Sequence, residues 1–206
     1  MTPDTATPAA GTLQYLKQPY GELAWLINAH AANQPERIAL DDCEERLTWG
    51  DTAALVNRIA AQLQAEGLQK GQAVSILGTT TIRYALVYLG AIVAGGCAAP
   101  LTTSATPQQL VDMMTDSGAG HLFIDHTKRG ELADSGVALP HLKHVMMEAP
   151  DESDGAPFLF DWMAVEGAPL VEVETGPNDP YNIIYSSGTT GTPKGIVHSR
   201  QMRWYQ

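Results

Sequence analysis

Apolar residues along this chain recur at two spacings, one near 3.6 and one of short unbroken runs. Tyr20, Leu23, Ile27 and Ala31 recur at helical spacing until Pro35 interrupts, which predicts a first amphipathic helix. Residues 38–40 and Arg46–Thr48 flank the polar tract 41–45 and read as a hairpin. Thr48 stands three residues before Asp51, a pair whose side chains can satisfy orphan amides at a helix start. The helix that follows places Leu55, Val56, Ile59, Ala60 and Leu63 on one stripe, with Gly67 closing it and Leu68 folding back. Ala73–Leu77 is an apolar run suited to a buried strand. The longer run 85–99 is expected to be a buried helix ending near Gly95 and Gly96. Thr106, Pro107 and Gln109 then supply an N-cap, a proline in the first turn and a capping-box partner for a helix with Leu110, Met113 and Met114 on its apolar face. His121–Ile124 and residues 143–147 read as further strands. Strands alternating with helices over 74–124 predict an α/β fold: an open, mainly parallel sheet covered by helices, with Ala73–Leu77 and His121–Ile124 adjacent or nearly so.

Composition trims this picture at the edges. Residues 1–19 are rich in Thr, Pro and Ala without a period, which suggests a flexible leader before a domain spanning 20–206. Residues 1–10 show no basic segment followed by an apolar one, so no secretory signal is visible and a cytoplasmic location is expected. The run 85–99 is shorter than the ~20 residues of a membrane span and contains three glycines, so no transmembrane segment is expected. With 12 Lys+Arg against 23 Asp+Glu the net charge is -11, which repels a nucleic acid backbone and excludes nucleic acid as a partner. A small anion still needs only a local cluster of donors. Cys43 and Cys97 read as reduced structural thiols, and His121, His126, His141 and His144 lack the Cys or Glu that would complete a zinc pattern, so no metal ligands are assigned.

The chemistry concentrates in 185–195, Tyr-Ser-Ser-Gly-Thr-Thr-Gly-Thr-Pro-Lys-Gly, preceded by the strand-like 181–184 and followed by the β-prone 196–198. Gly188 and Gly191 let the chain turn several backbone N–H groups towards one centre. Ser186, Ser187, Thr189, Thr190 and Thr192 add five hydroxyls, Lys194 adds a cation, and Pro193 restricts where that cation can reach. This is the donor set a polyphosphate requires. A Walker A loop would need Ser or Thr after the lysine and a helix starting there, whereas Gly195 follows Lys194. Few buried contacts hold such a loop, so 187–194 is expected to be exposed and mobile without nucleotide.

Residues 185–195 match a signature close to [YF]-[TS]-S-G-[ST]-T-G-x-P-K-G, and the chain here resembles the adenylate-forming (AMP-binding) superfamily of acyl-CoA synthetases, luciferases and peptide-synthetase adenylation domains. Leu47-Thr-Trp49, 91–95 and Pro100-Leu101 resemble that family more loosely, so the resemblance covers most of 20–206. It implies the N-terminal portion of such an enzyme's large domain. It also implies two half-reactions: a small-molecule carboxylic acid attacks the α-phosphate of Mg2+-bound ATP, and coenzyme A then displaces AMP, as in a fatty-acid–CoA ligase. By the same resemblance Ser186, Ser187, Gly188, Thr189, Thr190, Gly191, Thr192, Lys194 and Gly195 would bind the nucleotide, with Lys194 as the catalytic cation that neutralises departing pyrophosphate. His198 and Ser199 resemble the stretch after the loop in many acyl-CoA synthetases, but Arg200 stands where a His is frequent and reads equally as a surface cation. The family's ribose, adenine and acyl sites and its mobile C-terminal domain fall later in the chain than Gln206. The 206 residues alone are therefore expected to be an inactive fragment, with an adenylation domain that loads a carrier protein, or a non-catalytic phosphate-binding module, as the alternative readings.

Overall fold

In the computed structural model, residues 10–148, 155–186 and 193–206 are described. Helix α1 (Ala10–Leu16) and helix α2 (Leu23–Asn33) precede a two-stranded antiparallel hairpin of β1 (Ile38–Asp41) and β2 (Arg46–Thr48). Helix α3 (Trp49–Ala65) opens on the expected capping box: the Asp51 amide donates to Thr48 Oγ1 at 3.2 Å and the Thr48 amide to Asp51 Oδ2 at 3.3 Å. Then follow β3 (Ala73–Leu77), α4 (Ile82–Val93), β4 (Cys97–Pro100), α5 (Pro107–Ser117), β5 (His121–Ile124), α6 (His126–Ser135), β6 (Lys143–Met146) and the short α7 (Leu159–Trp162). The described chain finishes with β7 (Pro180–Ser186), β8 (Lys194–Ser199) and α8 (Arg200–Trp204).

Six strands form one sheet in the order β6-β5-β3-β4-β7-β8, parallel throughout except that β8 runs antiparallel to β7. The α/β expectation holds, and β3 and β5 are direct parallel neighbours. Because strand side chains alternate between faces, Val74, Ile76 and Phe123 pack under α3 and α4 while Leu77, Leu122 and Ile124 pack under α5 and α6. The stripes of α3 (Val56, Ile59, Leu63) and α5 (Leu110, Met113, Met114) are the faces buried against the sheet.

Five stretches differ from the sequence expectation. The apolar run 85–99 is two elements: α4 ends at Val93, Gly95 with a φ of +88° turns the chain out of it, and Gly96 passes between Leu68 and the carbonyls of Ala91 and Gln72, where a Cβ would lie 2.9–3.0 Å from its neighbours. The remainder enters the sheet as β4. Helix α6 has one buried apolar residue, Leu132, so no period marks it; the Asp125 cap and left-handed Gly136 set its bounds instead. Helix α1 lies within the stretch expected to lack regular structure. Its Tyr15 stacks on Trp25 with ring centroids 3.8 Å apart and meets Trp204 edge-on at 5.6 Å, partners too distant in sequence for composition to reveal. Helices α7 and α8, four and five residues long, are too short to carry a period.

At the amino-terminal end of the parallel strands, Glu66 collects four donors: His121 Nε2 at 2.8 Å, Trp162 Nε1 at 2.9 Å, Gln62 Nε2 at 3.0 Å and Lys143 Nζ at 3.1 Å. Burial alone would raise its pKa, but these donors outweigh it and hold the carboxyl at about 2, below its ordinary 4.5. A depressed folded-state value gives stability that is complete above the unfolded value and lost as pH falls through the folded one. Glu66→Gln is therefore expected to cost roughly 2 kcal/mol at pH 7 after solvent screening, with the gap to the parent shrinking from about pH 4.5 and closing near pH 2. Urea midpoints across that range test it; a gap independent of pH would contradict it.

Candidate active site

The Gly/Ser/Thr stretch joins β7 to β8. Ile183 is buried, and the hairpin register runs Ile184↔Ile196, Tyr185↔Gly195, Ser186↔Lys194. Ser186 and Lys194 thus face each other across the mouth of the loop, on the same face of the sheet. Ser187, Gly188, Thr189, Thr190, Gly191 and Thr192, and with them the expectation of a mobile loop, lie outside the described residues. Lys194 is exposed and so is Gly195.

Topology fixes where this mouth opens. Strand β7 is parallel to β4, so the loop leaves the carboxyl-terminal ends of the strands, beside the turns after β3 and β4. The connection from β3 crosses one face of the sheet through α4 and the connection from β4 crosses the other through α5. Neighbouring strands whose connections diverge to opposite faces are where open α/β sheets form their ligand crevice, outside the carboxyl ends of the strands. The turns beside it carry exposed hydroxyl residues, Thr79 and Thr80 after β3 and Thr102, Thr103 and Ser104 after β4. Sequence reasoning passed over them; their signal is the run of Thr and Ser directly behind two buried strands. Asp125, buried at the end of β5, accepts from the Thr79 amide at 2.9 Å and the Lys128 amide at 2.8 Å, which ties the β3 turn to the cap of α6.

The base of the loop is held from below. Tyr185 Oη donates towards Asp116 Oδ2 at 2.9 Å and the Met113 carbonyl at 3.0 Å, both on α5. Burial first, then the bond to Asp116, pushes the Tyr185 phenol up, so it remains a neutral donor at neutral pH. Opposite it Gly195 is glycine for lack of room: an added Cβ would lie 3.0 Å from Ile183 Cγ2, 3.1 Å from Tyr185 Cε1 and 3.2 Å from Asp116 Oδ2. Gly195→Ala is expected to loosen this clamp at a cost of about 1–3 kcal/mol, read as faster amide exchange at Tyr185 and Ser186. Unchanged exchange would mean that the hairpin absorbs the methyl freely.

Arg200 is not a surface cation. It is 5% exposed, donating through Nη1 to Glu22 at 3.2 Å and through Nη2 to the carbonyls of Ile92 at 3.1 Å and Gly96 at 3.4 Å. It lies at the amino-terminal end of the sheet, remote from the loop mouth, and touches no part of the crevice. Cys97 is buried, its thiol pushed up to about 11 mainly by that burial, as befits a packing residue; Cys43 is exposed. Among the described residues no three His, Cys, Asp or Glu side chains are placed to hold a metal ion, and no helix is long and apolar enough to cross a membrane.

Residues 27–203 match the AMP-binding enzyme family. The chain belongs to the AMP-binding enzymes. A long-chain-fatty-acid–CoA ligase of Mycobacterium tuberculosis is 27% identical over 183 residues, covering 87% of this chain and 35% of the ligase. Gramicidin S synthase 2 of Brevibacillus brevis is 28% identical over 176 residues, 85% of this chain and 4% of the synthase. Among solved structures, an anthranilate CoA ligase in complex with anthranoyl-AMP superposes with a TM-score of 0.79 at 22% identity over 89% of this chain and 36% of that one, a likeness of fold. The chain thus spans about a third of the length of the CoA ligase it matches, and it sits among adenylate-forming enzymes of both the CoA ligase and the peptide synthetase kind.

Proposed function

We propose that this chain supplies the triphosphate-handling part of an ATP-dependent enzyme that activates a carboxylic acid as its acyl-adenylate and passes the acyl group to coenzyme A. The observation that carries the reading is the β7–β8 hairpin, which sets Ser186 and Lys194 face to face at the carboxyl ends of the sheet, at the two edges of a loop of hydroxyl residues. That donor set suits a polyphosphate: hydroxyls and loop amides take the β- and γ-phosphate oxygens, and Lys194 offsets charge as pyrophosphate leaves. Bound ATP supplies the α-phosphorus that the carboxylate attacks and the AMP leaving group that makes the acyl carbon reactive. Mg2+ would be held largely by the phosphates of the nucleotide, the usual mode for this ion in phosphate sites. The nucleotide-binding residues in this proposal are Ser186 to Thr192, Lys194 and Gly195, with Lys194 catalytic.

A second reading, transfer to the thiol of a carrier protein, is favoured by the similarity to gramicidin S synthase 2 over 85% of the chain. The two separate in one assay. The protein continued to the length of its CoA ligase relatives is given ATP, a panel of fatty and aromatic acids, and either coenzyme A or a phosphopantetheinylated carrier. Acyl-CoA formation is the expected result, and thioester on the carrier alone would favour the second reading. Within the 206 residues only one side of the triphosphate site is contained in this proposal, so the chain by itself is expected to bind nucleotide without turning it over.

A further inference from the structure

Strand β8 is an edge strand whose side chains do little to fix its position. Lys194, Gly195, Ile196 and Val197 are all exposed, and only His198 and Ser199 are half-buried. The register with β7 already contains one irregularity, between Pro180 and Asn182. A slip by one residue would carry Lys194 to the other face of the sheet, away from Ser186, and near the loop it is opposed at one crowded point, Gly195 against Ile183, Tyr185 and Asp116. At the other end of β8 the side chains of His198 and Ser199 are only half-buried, and the first residue beyond them, Arg200, is buried and fixed.

Its guanidinium is buried and binds in three directions: to Glu22 before α2, to the Ile92 carbonyl in the last turn of α4, and to the Gly96 carbonyl in the turn into β4. The carbonyl of Ile92, in the last turn of α4, also accepts from the Gly95 amide at 3.1 Å, so the guanidinium adds a second donor where the helix turns into β4. Glu22 is itself fixed, accepting from the hydroxyls of Tyr20 and Thr175. The Arg200 amide donates to the Asp179 carbonyl at 2.9 Å, and Asp179 is held in turn by Lys70 at 2.8 Å. A planar fork with five donors can span these acceptors, where a lysine ammonium is a single point.

We propose that Arg200, paired with Glu22, is a positioning residue for the phosphate loop: it locks the β8–α8 junction to α2 and α4 and thereby sets the register that keeps Lys194 opposite Ser186. Arg200 touches no substrate and acts through Lys194. The proposal rests on the reading of the loop as a polyphosphate site.

The test is binding of labelled inorganic pyrophosphate to the 206-residue chain by equilibrium dialysis, with the folded fraction of each variant checked by circular dichroism. Lys194→Ala is expected to weaken binding about tenfold or more, through loss of a charged contact. Arg200→Met is expected to weaken it about tenfold, Arg200→Lys and Glu22→Gln less, because part of the fork survives. Since Arg200 works through Lys194, adding Arg200→Met to Lys194→Ala should cost nothing further. A purely structural Arg200 would give the same fold-loss on both backgrounds, or none on either, and each result overturns the proposal. Should Arg200→Met fail to fold, Glu22→Gln carries the same cycle, with faster amide exchange across residues 194–199 as the expected accompaniment and unaltered exchange as the contrary one. Lys194→Ala binding pyrophosphate like the parent would instead strike the loop reading itself, and the positioning proposal would fall with it.

Discussion

Lys194→Ala, in the chain continued to the length of its relatives, is expected to lower carboxylate-dependent exchange of labelled pyrophosphate into ATP by about 10²- to 10³-fold, the usual cost of removing one preorganised donor from developing charge. The geometry behind this figure is the Ser186↔Lys194 pair at the mouth of the hairpin and the exposure of the lysine to the crevice. Proline at 193 leaves the ammonium few places to go, so little of the effect should be recovered by neighbouring cations. Lys194→Arg keeps the charge but changes its shape, and should fall between the two. Thr190→Ala is expected to do less, because one hydroxyl among five is removed. Full exchange in Lys194→Ala would take this residue out of the reaction.

The largest stability loss is expected at Phe123. It is fully buried at the centre of β5, pairs in register with Ile76 of β3 and Val145 of β6, and meets Trp162 edge-on with centroids 5.1 Å apart. Phe123→Ala should cost about 3–5 kcal/mol, since the removed ring leaves a cavity between sheet and helices that strands on both sides prevent from collapsing. The urea midpoint should drop while its slope stays unchanged. Phe123→Leu should cost less than half as much, because much of the volume is retained. A loss below 1 kcal/mol for the alanine variant would mean that the core under α3 and α4 repacks freely.

Most of the central sheet was legible because its strands are short unbroken apolar runs between helices with sharp ends. The capping residues Thr48 and Thr106 announced α3 and α5 by local chemistry alone, and both boxes form as written. Strand β4 was hidden because Cys97, Ala98 and Ala99 continue the apolar composition of α4; only the paired glycines mark the change of period, and the left-handed turn at Gly95 is a backbone property. Helix α6 was hidden for the opposite reason, having almost nothing to bury. At the site, strands β7 and β8 were legible as β-prone runs on either side of the glycine- and hydroxyl-rich stretch, whereas the clamp of Tyr185 on Asp116 was not, since the two are joined only by the pairing of distant strands. Arg200 was the plainest miss. In sequence it is a cation at the end of a β-prone stretch, and nothing local tells that Glu22 and the end of α4 wait to receive it.

The central claim is that this chain handles the triphosphate for attack at the α-phosphorus, and the products of ATP consumption test it most directly. The continued protein is incubated with ATP, Mg2+ and a panel of carboxylic acids, and the nucleotide and phosphate products are separated and identified. AMP and pyrophosphate in equal amounts, formed only when an acceptable acid is present, are the expected result; ADP with inorganic phosphate, or AMP formed equally without any acid, would contradict it.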